Sequence, residues 1–157
     1  MLKFNNININ KLNTLSKKLS LLLEPSDVLG FTGELGAGKT TLIRLLAASL
    51  GVERDHVVSP TFVLLQEYQG RKQIFHWDLY RLKNEKELYD LDYEEYFFGN
   101  GISFIEWFDK LEMLKPVDYL SIVLTSTSEE ERSVTFEGFG SRGKMLVKRL
   151  GELNWKI

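Results

Sequence analysis

Residues 33–40 read Gly-Glu-Leu-Gly-Ala-Gly-Lys-Thr. This run satisfies the pattern G-x-x-x-x-G-K-[ST], in which a glycine-rich loop wraps around the phosphates of a nucleotide. The glycines permit backbone conformations and close approaches that a Cβ atom would prevent, so that backbone N–H groups can point inward at an anion. The run therefore predicts a phosphate-binding loop.

Each polar residue of this loop has a chemical reason to be there. Lys39 is a mobile positive charge that can reach the β- and γ-phosphates, and Thr40 offers a hydroxyl to Mg²⁺, which prefers oxygen ligands. The following helix, which starts at about Lys39, adds the partial positive charge of its N-terminus. We therefore expect ATP and Mg²⁺ as ligands. The nucleotide-binding set predicted in this region is Gly33, Leu35, Gly36, Ala37, Gly38, Lys39, Thr40 and Thr41.

The residues around the loop favour this interpretation over a simple glycine turn with a solvated lysine. An apolar run at 28–32 predicts a buried strand before the loop, and residues 41–50 predict a helix that ends at Gly51. Leucines at 12, 15, 19 and 22 predict an earlier amphipathic helix. Strands and helices that alternate in this way indicate an α/β fold of the P-loop NTPase class, with a mixed sheet flanked by helices.

The rest of the chain continues the alternation. We predict a hairpin over 62–78 with its turn at 69–72, then a helix over 85–91 that begins with Asn84 and Glu87 as a capping box. A further helical turn at 94–98 precedes the break at 99–101. Strands are expected at 102–106, 119–124 and 132–137, and a last helix at 143–150.

Composition sets the broad class. The chain has 157 residues, of which 43% are hydrophobic and 27% charged, with a net charge of −2. These values predict one globular domain over 1–157 and disfavour strong nucleic-acid binding by the whole surface. Without cysteine, thiol catalysis and cysteine-based zinc sites are excluded. Because no signal peptide or membrane-spanning run is seen, we expect a cytoplasmic protein with no membrane partner.

Two carboxylates follow apolar strands. Asp78 ends the run 74–77, and Glu106 ends the run 102–105. Strand ends of this kind meet at the edge of a sheet near the phosphates, so both are candidates to hold magnesium or orient the attacking water. The alternatives are a cap or turn role for Asp78 and an ordinary exposed carboxylate for Glu106.

Three other residues and two segments have open interpretations. Thr61 lies where a γ-phosphate-sensing segment would sit, and is otherwise a turn residue. His76 is more simply a core histidine than a catalytic base, and Trp107 either packs or covers the site or a partner surface. The acidic stretch 85–95 and the basic segment from Gly140 onward are solvated faces, or surfaces for charged partners such as tRNA.

Four segments together resemble the TsaE family of bacterial tRNA threonylcarbamoyladenosine biosynthesis. They are the phosphate loop with Thr41, Ser-Pro-Thr-Phe at 59–62, His-Trp-Asp-Leu-Tyr-Arg-Leu at 76–82 and Ile-Glu-Trp at 105–107. The likeness runs from the first helix to about Leu124. It departs at Trp77, where the family more often has a smaller apolar residue, and fades beyond Glu130.

The resemblance implies a partner protein rather than the transferase itself. It implies ATP binding and hydrolysis in support of a TsaD-like threonylcarbamoyl transferase and its TsaB-like paralogue, with tRNA reached through that complex. It also implies that Lys39 binds phosphate, that Thr40 and Glu106 hold magnesium, that Asp78 is catalytic or close to the phosphates, and that Trp107 matters for activity or partner contact. Nucleotide contacts are implied near the start of the first helix, at Lys11 to Thr14.

Hydrolysis by the chain alone is expected to be weak, because no residue clearly supplies the arginine that accelerates such reactions, and Arg81 is the nearest candidate. A small-molecule kinase is the alternative function, but the seven arginines are scattered rather than clustered in a lid. A GTPase is rejected because the near match to its guanine-reading motif, at 10–13, precedes the loop. A non-enzymatic nucleotide sensor would function without Asp78 and Glu106.

Overall fold

The computed structural model describes residues 1–58, 60 and 62–155. Within that part of the chain it contains seven strands, four α-helices and three short 3₁₀ segments, at 54–56, 85–91 and 108–110. The strands are β1 (Leu2–Ile7), β2 (Val28–Thr32), β3 (Leu65–Gln69), β4 (Gln73–Asp78), β5 (Ile102–Glu106), β6 (Tyr119–Ser126) and β7 (Arg132–Phe139). The helices are α1 (Ile9–Ser20), α2 (Lys39–Ser49), α3 (Tyr93–Phe97) and α4 (Gly140–Glu152).

All seven strands form one mixed sheet in the order β1-β7-β6-β2-β5-β4-β3. The centre is parallel, because β2 pairs with β5 and β6, and β4 pairs with β5. The antiparallel pairs are β3 with β4, β6 with β7 and β1 with β7. The predicted α/β fold with a mixed sheet flanked by helices is confirmed.

Two apolar clusters cover the sheet. One joins α1, α2 and α4 to the strands, and Leu12, Leu15 and Leu19 of α1 are fully buried in it, as their spacing predicts. The other is built around Trp77, Phe97 and Phe108 together with the segments that follow β4 and β5. The larger Trp77 indole is accommodated edge-to-face against the ring of Phe97, at 5.7 Å between ring centroids.

Several element boundaries differ from the sequence prediction. Strand β1 was not predicted, because it is a polar edge strand in which only alternate residues are shielded. The strand expected from residue 62 begins at Leu65, since Val63 and Leu64 donate their N–H groups to the carbonyl of Pro60 in a turn. The helix expected at 85–91 is a 3₁₀ helix, although its Asn84–Glu87 capping box is present as predicted.

Candidate nucleotide-binding site

The glycine-rich loop connects the end of β2 to the start of α2, as the sequence predicts. Gly33 has φ 146°, and a Cβ there would lie 2.4 Å from the carbonyl oxygen of Leu124. Gly38 caps α2 in the left-handed conformation, with φ 104°. Such backbone angles disfavour side chains, so glycine at these two positions sets the path of the loop. The N–H groups in the first turn of α2 have no partners within their own helix and are suited to an anion.

Lys39 is only 5% exposed and folds back over the loop. Its Nζ donates to the carbonyl oxygens of Gly33 at 2.6 Å and Glu34 at 3.0 Å, and lies 4.0 Å from the ring centroid of Trp107. Burial lowers the pKa of the Lys39 ammonium below its ordinary value of 10.5, while nearby carboxylates, Glu106 first, act in the opposite direction. The lysine therefore holds a desolvated charge that an anionic ligand would stabilise.

Thr40 and Glu106 are in direct contact. The Thr40 hydroxyl lies 2.8 Å from Oε1 and 3.0 Å from Oε2 of Glu106, and the carboxylate is buried. The hydroxyl comes from the first turn of α2 and the carboxylate from the end of β5, so the two central parallel strands bring them together. This is the pair of oxygen groups that the family resemblance implies as magnesium ligands.

Asp78 lies directly beside Glu106. The two residues are paired across the parallel strands β4 and β5, so the predicted meeting of the carboxylates at one edge of the sheet is confirmed. Asp78 is 2% exposed, and its Oδ1 accepts the N–H of Tyr80 at 2.9 Å. Its catalytic role stays a prediction.

His76 is more closely tied to the site than its sequence context indicates. It is fully buried, with Nε2 at 2.8 Å from Oε1 of Glu106 and Nδ1 at 3.2 Å from the Tyr68 hydroxyl. A buried histidine with both nitrogens engaged agrees with the core interpretation. One of those partners, however, is the candidate metal carboxylate, which strand alternation alone does not reveal.

Trp107 follows Glu106 in the left-handed conformation, with φ 58°. This turn directs its ring over the Lys39 ammonium and against Tyr80, whose ring centroid lies 5.1 Å away. A non-glycine residue in this conformation is strained, and such strain is concentrated at functional sites. The indole therefore covers the phosphate loop, one of the two positions that the sequence left open.

These groups line one cleft of about 250 Å³. Gly33 and Ala37 shape the loop but do not line this cleft, and Lys11 lies elsewhere, on the first turn of α1. Thr61 lies outside the described residues, so its predicted contact is not tested. The lining residues are Leu35, Gly36, Gly38, Lys39, Thr40, Thr41, Asp78, Tyr80, Glu106 and Trp107.

Two arginines lie near this region. Arg132, at the start of β7, lies beside the loop, because a Cβ on Gly38 would come within 3.3 Å of its Nη1. Its buried Nε has no hydrogen-bond partner among the described residues. Sequence reasoning missed Arg132, since its proximity depends on the strand order. Arg81, the earlier candidate, instead packs its guanidinium over the ring of Phe62, 4.3 Å from the ring centroid.

Comparison with known proteins agrees with this geometry. The family model described as "Threonylcarbamoyl adenosine biosynthesis protein TsaE" matches residues 7–134. The chain is 38% identical over 150 residues to the tRNA threonylcarbamoyladenosine biosynthesis protein TsaE of Bacillus subtilis, covering 95% of this chain and 93% of that protein. The chain belongs to the TsaE family. The family match extends past Leu124, where the resemblance in the motifs ends, and includes Arg132.

Two further relatives bear on the TsaE assignment. The protein of the same name from Rickettsia felis is 39% identical over 119 residues, which cover 75% of this chain and 69% of that protein. The crystal structure of YdiB from Bacillus subtilis superposes with a TM-score of 0.82 at 34% identity, covering 96% of this chain and 94% of that one. The predicted P-loop fold is thereby confirmed.

The residues of the cleft fit a magnesium–nucleotide complex. Magnesium is usually bound by one or two carboxylates together with phosphate oxygens and water, rather than by a cage of protein ligands. The contact between Thr40 and Glu106 supplies two oxygen ligand groups beside the phosphate loop.

Proposed function

We propose that this TsaE-family chain binds ATP with Mg²⁺ in the cleft, hydrolyses it slowly on its own and supports threonylcarbamoyladenosine modification of tRNA. The observation that carries the proposal is the convergence of Lys39, Thr40, Asp78 and Glu106 on the glycine-rich loop. The family description supplies the pathway, which favours tRNA modification over phosphorylation of a small molecule.

Lys39 exchanges partners when nucleotide binds. Its ammonium gives up the carbonyl oxygens of Gly33 and Glu34 and donates to phosphate oxygens, which carry full negative charge and accept stronger hydrogen bonds. The Trp107 ring shields this exchange from water on one side. Arg132 adds a second positive charge beside Gly38, at the N-terminus of α2.

Thr40 and Glu106 would hold the magnesium ion, which would supply charge neutralisation on the phosphates. Asp78 orients the attacking water from the neighbouring strand, with its own carboxylate fixed by the Tyr80 N–H. Hydrolysis is slow in the isolated chain because the Arg81 guanidinium is engaged in a cation–π contact with the Phe62 ring. An arginine that places a positive charge at the transferred phosphate, from the enzyme or its partner, raises the rate of hydrolysis about 10³–10⁵-fold.

The partners proposed are a TsaD-like threonylcarbamoyl transferase and a TsaB-like paralogue, with tRNA reached through their complex. A net charge of −2 agrees with indirect rather than direct tRNA binding. The described residues include no helix long and apolar enough to cross a membrane. We propose the cytoplasm as the site of action.

The test combines binding and modification. Calorimetry with ATP and MgCl₂ should give binding to the wild type and at least tenfold weaker binding to Lys39→Ala, since a charged hydrogen-bond partner contributes about 1.5–3 kcal/mol. Arg132→Ala should also weaken binding. Lys148→Ala removes an exposed lysine of α4 and serves as the matched control.

Reconstituted tRNA modification with the two partners then tests the pathway. We expect repeated turnovers with wild type and Lys148→Ala, and loss of repeated turnover with Lys39→Ala. Equal multi-turnover yields from wild type and Lys39→Ala would refute the proposed function.

A further inference from the structure

On the side away from the cleft, the Glu106 carboxylate contacts a series of buried side chains that have no role in the proposed function. We propose that His76 and Tyr68 are positioning residues that fix the Glu106 carboxylate and couple it to Val58. This inference rests on the proposed function, because it concerns the same metal-binding carboxylate.

The chain of contacts runs through the interior, away from the cleft. His76 is fully buried and Tyr68 is 6% exposed. Nε2 of His76 lies 2.8 Å from Oε1 of Glu106, its Nδ1 lies 3.2 Å from the Tyr68 hydroxyl, and that hydroxyl lies 3.0 Å from the carbonyl oxygen of Val58. Strands β3, β4 and β5 thus connect the cleft to the segment after α2.

The chemistry of these groups restricts where the hydrogens lie. A carboxylate only accepts, so Nε2 of His76 donates to Glu106, and in the neutral ring Nδ1 is left as an acceptor. Burial raises the pKa of the Tyr68 hydroxyl above 10.0, so the hydroxyl keeps its hydrogen. The hydroxyl donates this hydrogen to the carbonyl oxygen of Val58 at 3.0 Å and lies 3.2 Å from Nδ1 of His76. A change in the hydrogen bond between Glu106 and His76 therefore alters the hydrogen bond between Tyr68 and Val58.

Leu64, further along the chain, is hydrogen-bonded to the residue that carries the second carboxylate. The carbonyl of Leu64 accepts the backbone N–H of Asp78 at 2.9 Å, and Leu64 itself has the strained φ of 67°. Val58 is thus linked by hydrogen bonds to Glu106, and Leu64 is linked to Asp78. Phe62, which lies between them in the sequence, is 81% exposed, so an exposed aromatic side chain lies close in sequence to both contacts.

Three variants separate positioning from general stability. Tyr68→Phe removes only the hydroxyl that bridges His76 and Val58. His76→Gln keeps an N–H donor near the position of Nε2 and loses the contact with Tyr68. The matched control is Tyr93→Phe, which deletes another hydroxyl of a mostly buried tyrosine, one that donates to Glu94 at 3.3 Å on the opposite side of the sheet.

Each variant is measured in two ways. Calorimetry with ADP, with and without MgCl₂, gives the gain in affinity that depends on magnesium. Hydrogen–deuterium exchange gives the protection of peptides covering 57–65 when MgADP is added. Both readouts are independent of catalytic turnover.

We expect Tyr68→Phe to reduce the magnesium-dependent gain by about tenfold, the scale typical of groups that orient metal ligands. It should also abolish the MgADP-induced protection of 57–65. His76→Gln, which also loses the contact with Tyr68, should reduce the magnesium-dependent gain to a similar extent and abolish the protection, while Tyr93→Phe should match wild type in both.

A Tyr68→Phe protein with the wild-type magnesium gain and wild-type protection would overturn the inference while leaving the proposed function intact. Equal losses in Tyr68→Phe and Tyr93→Phe would also overturn it, because they would indicate general destabilisation. Failure of the wild type to bind ADP at all would overturn the proposed function, and the inference with it.

Discussion

At the scale of single residues, the site depends on the charge of Lys39. This ammonium is buried against two carbonyl oxygens, and desolvation lowers its pKa below 10.5. The charged form is therefore less favoured in the folded chain than in an exposed lysine. Nucleotide binding stabilises the ammonium, so binding and protonation of Lys39 promote each other.

This linkage predicts how nucleotide affinity depends on pH. As pH rises toward 10.5, Lys39 loses its proton earlier than an exposed lysine would, and ATP affinity should fall over that range. Over the same interval the unfolding free energy of the nucleotide-free protein should gain from Lys39, because the unfolded chain binds the proton more tightly. Calorimetric titrations at increasing pH would measure the first effect.

Lys39→Arg is the control, because a guanidinium stays charged throughout this range. Its affinity for ATP is expected to be lower than that of wild type at neutral pH, but to be insensitive to the rise in pH. An identical decline in both proteins would place the titrating group elsewhere.

How far such residues could be predicted from sequence depends on how local their signals are. The phosphate loop is contiguous, and Asp78 and Glu106 are marked by the strands that they end, so their meeting was predictable. His76 and Glu106 are 30 residues apart, and Arg132 reaches Gly38 only because of the position of β7 in the sheet. These contacts depend on strand order, which a single sequence does not specify.

At the scale of elements, the junction between β2 and α2 sets the site. The same limitation of sequence applies here: strong apolar patterns predicted the central strands, whereas the polar edge strand β1 left too weak an alternation. At the junction itself, the glycines differ in what surrounds them. Gly33 lies against the Leu124 carbonyl, whereas Gly36, with φ 81°, has open space where a Cβ would be.

This difference predicts unequal effects on stability. Gly36→Ala incurs only the cost of the left-handed backbone, about 1–2 kcal/mol, which corresponds to a fall in Tm of about 2–8 °C. Gly33→Ala adds a steric overlap with the backbone of β6, worth about 1–3 kcal/mol more, so its Tm should fall by about 10 °C. Thermal unfolding followed by circular dichroism would compare them. Equal shifts would show that the backbone conformation alone sets the cost.

At the scale of the whole molecule, one buried ion pair joins the two ends of the chain. Arg142 belongs to the basic C-terminal segment, yet its side chain turns inward. Its Nε lies 2.7 Å from Oδ1 of Asp27 and its Nη2 lies 2.6 Å from Oδ2, while Nη2 also donates to the carbonyl of Leu22. The exposed basic residues on α4 are therefore Lys144, Lys148 and Arg149.

This ion pair predicts a large loss of stability on substitution of Asp27 and a small loss on substitution of Glu24. Asp27 is 4% exposed, so Asp27→Ala would leave the partly buried Arg142 guanidinium without its carboxylate and should cost about 3 kcal/mol, or about 10 °C in Tm. Glu24 lies 3.7 Å from the same guanidinium but is largely exposed, and Glu24→Ala should leave Tm close to that of wild type. Because the pair lies at the opposite end of β2 from the phosphate loop, ATP affinity measured below the unfolding transition should be unchanged in both variants. A loss of ATP affinity in Asp27→Ala would instead mean that the docking of α4 is transmitted through β2 to the loop.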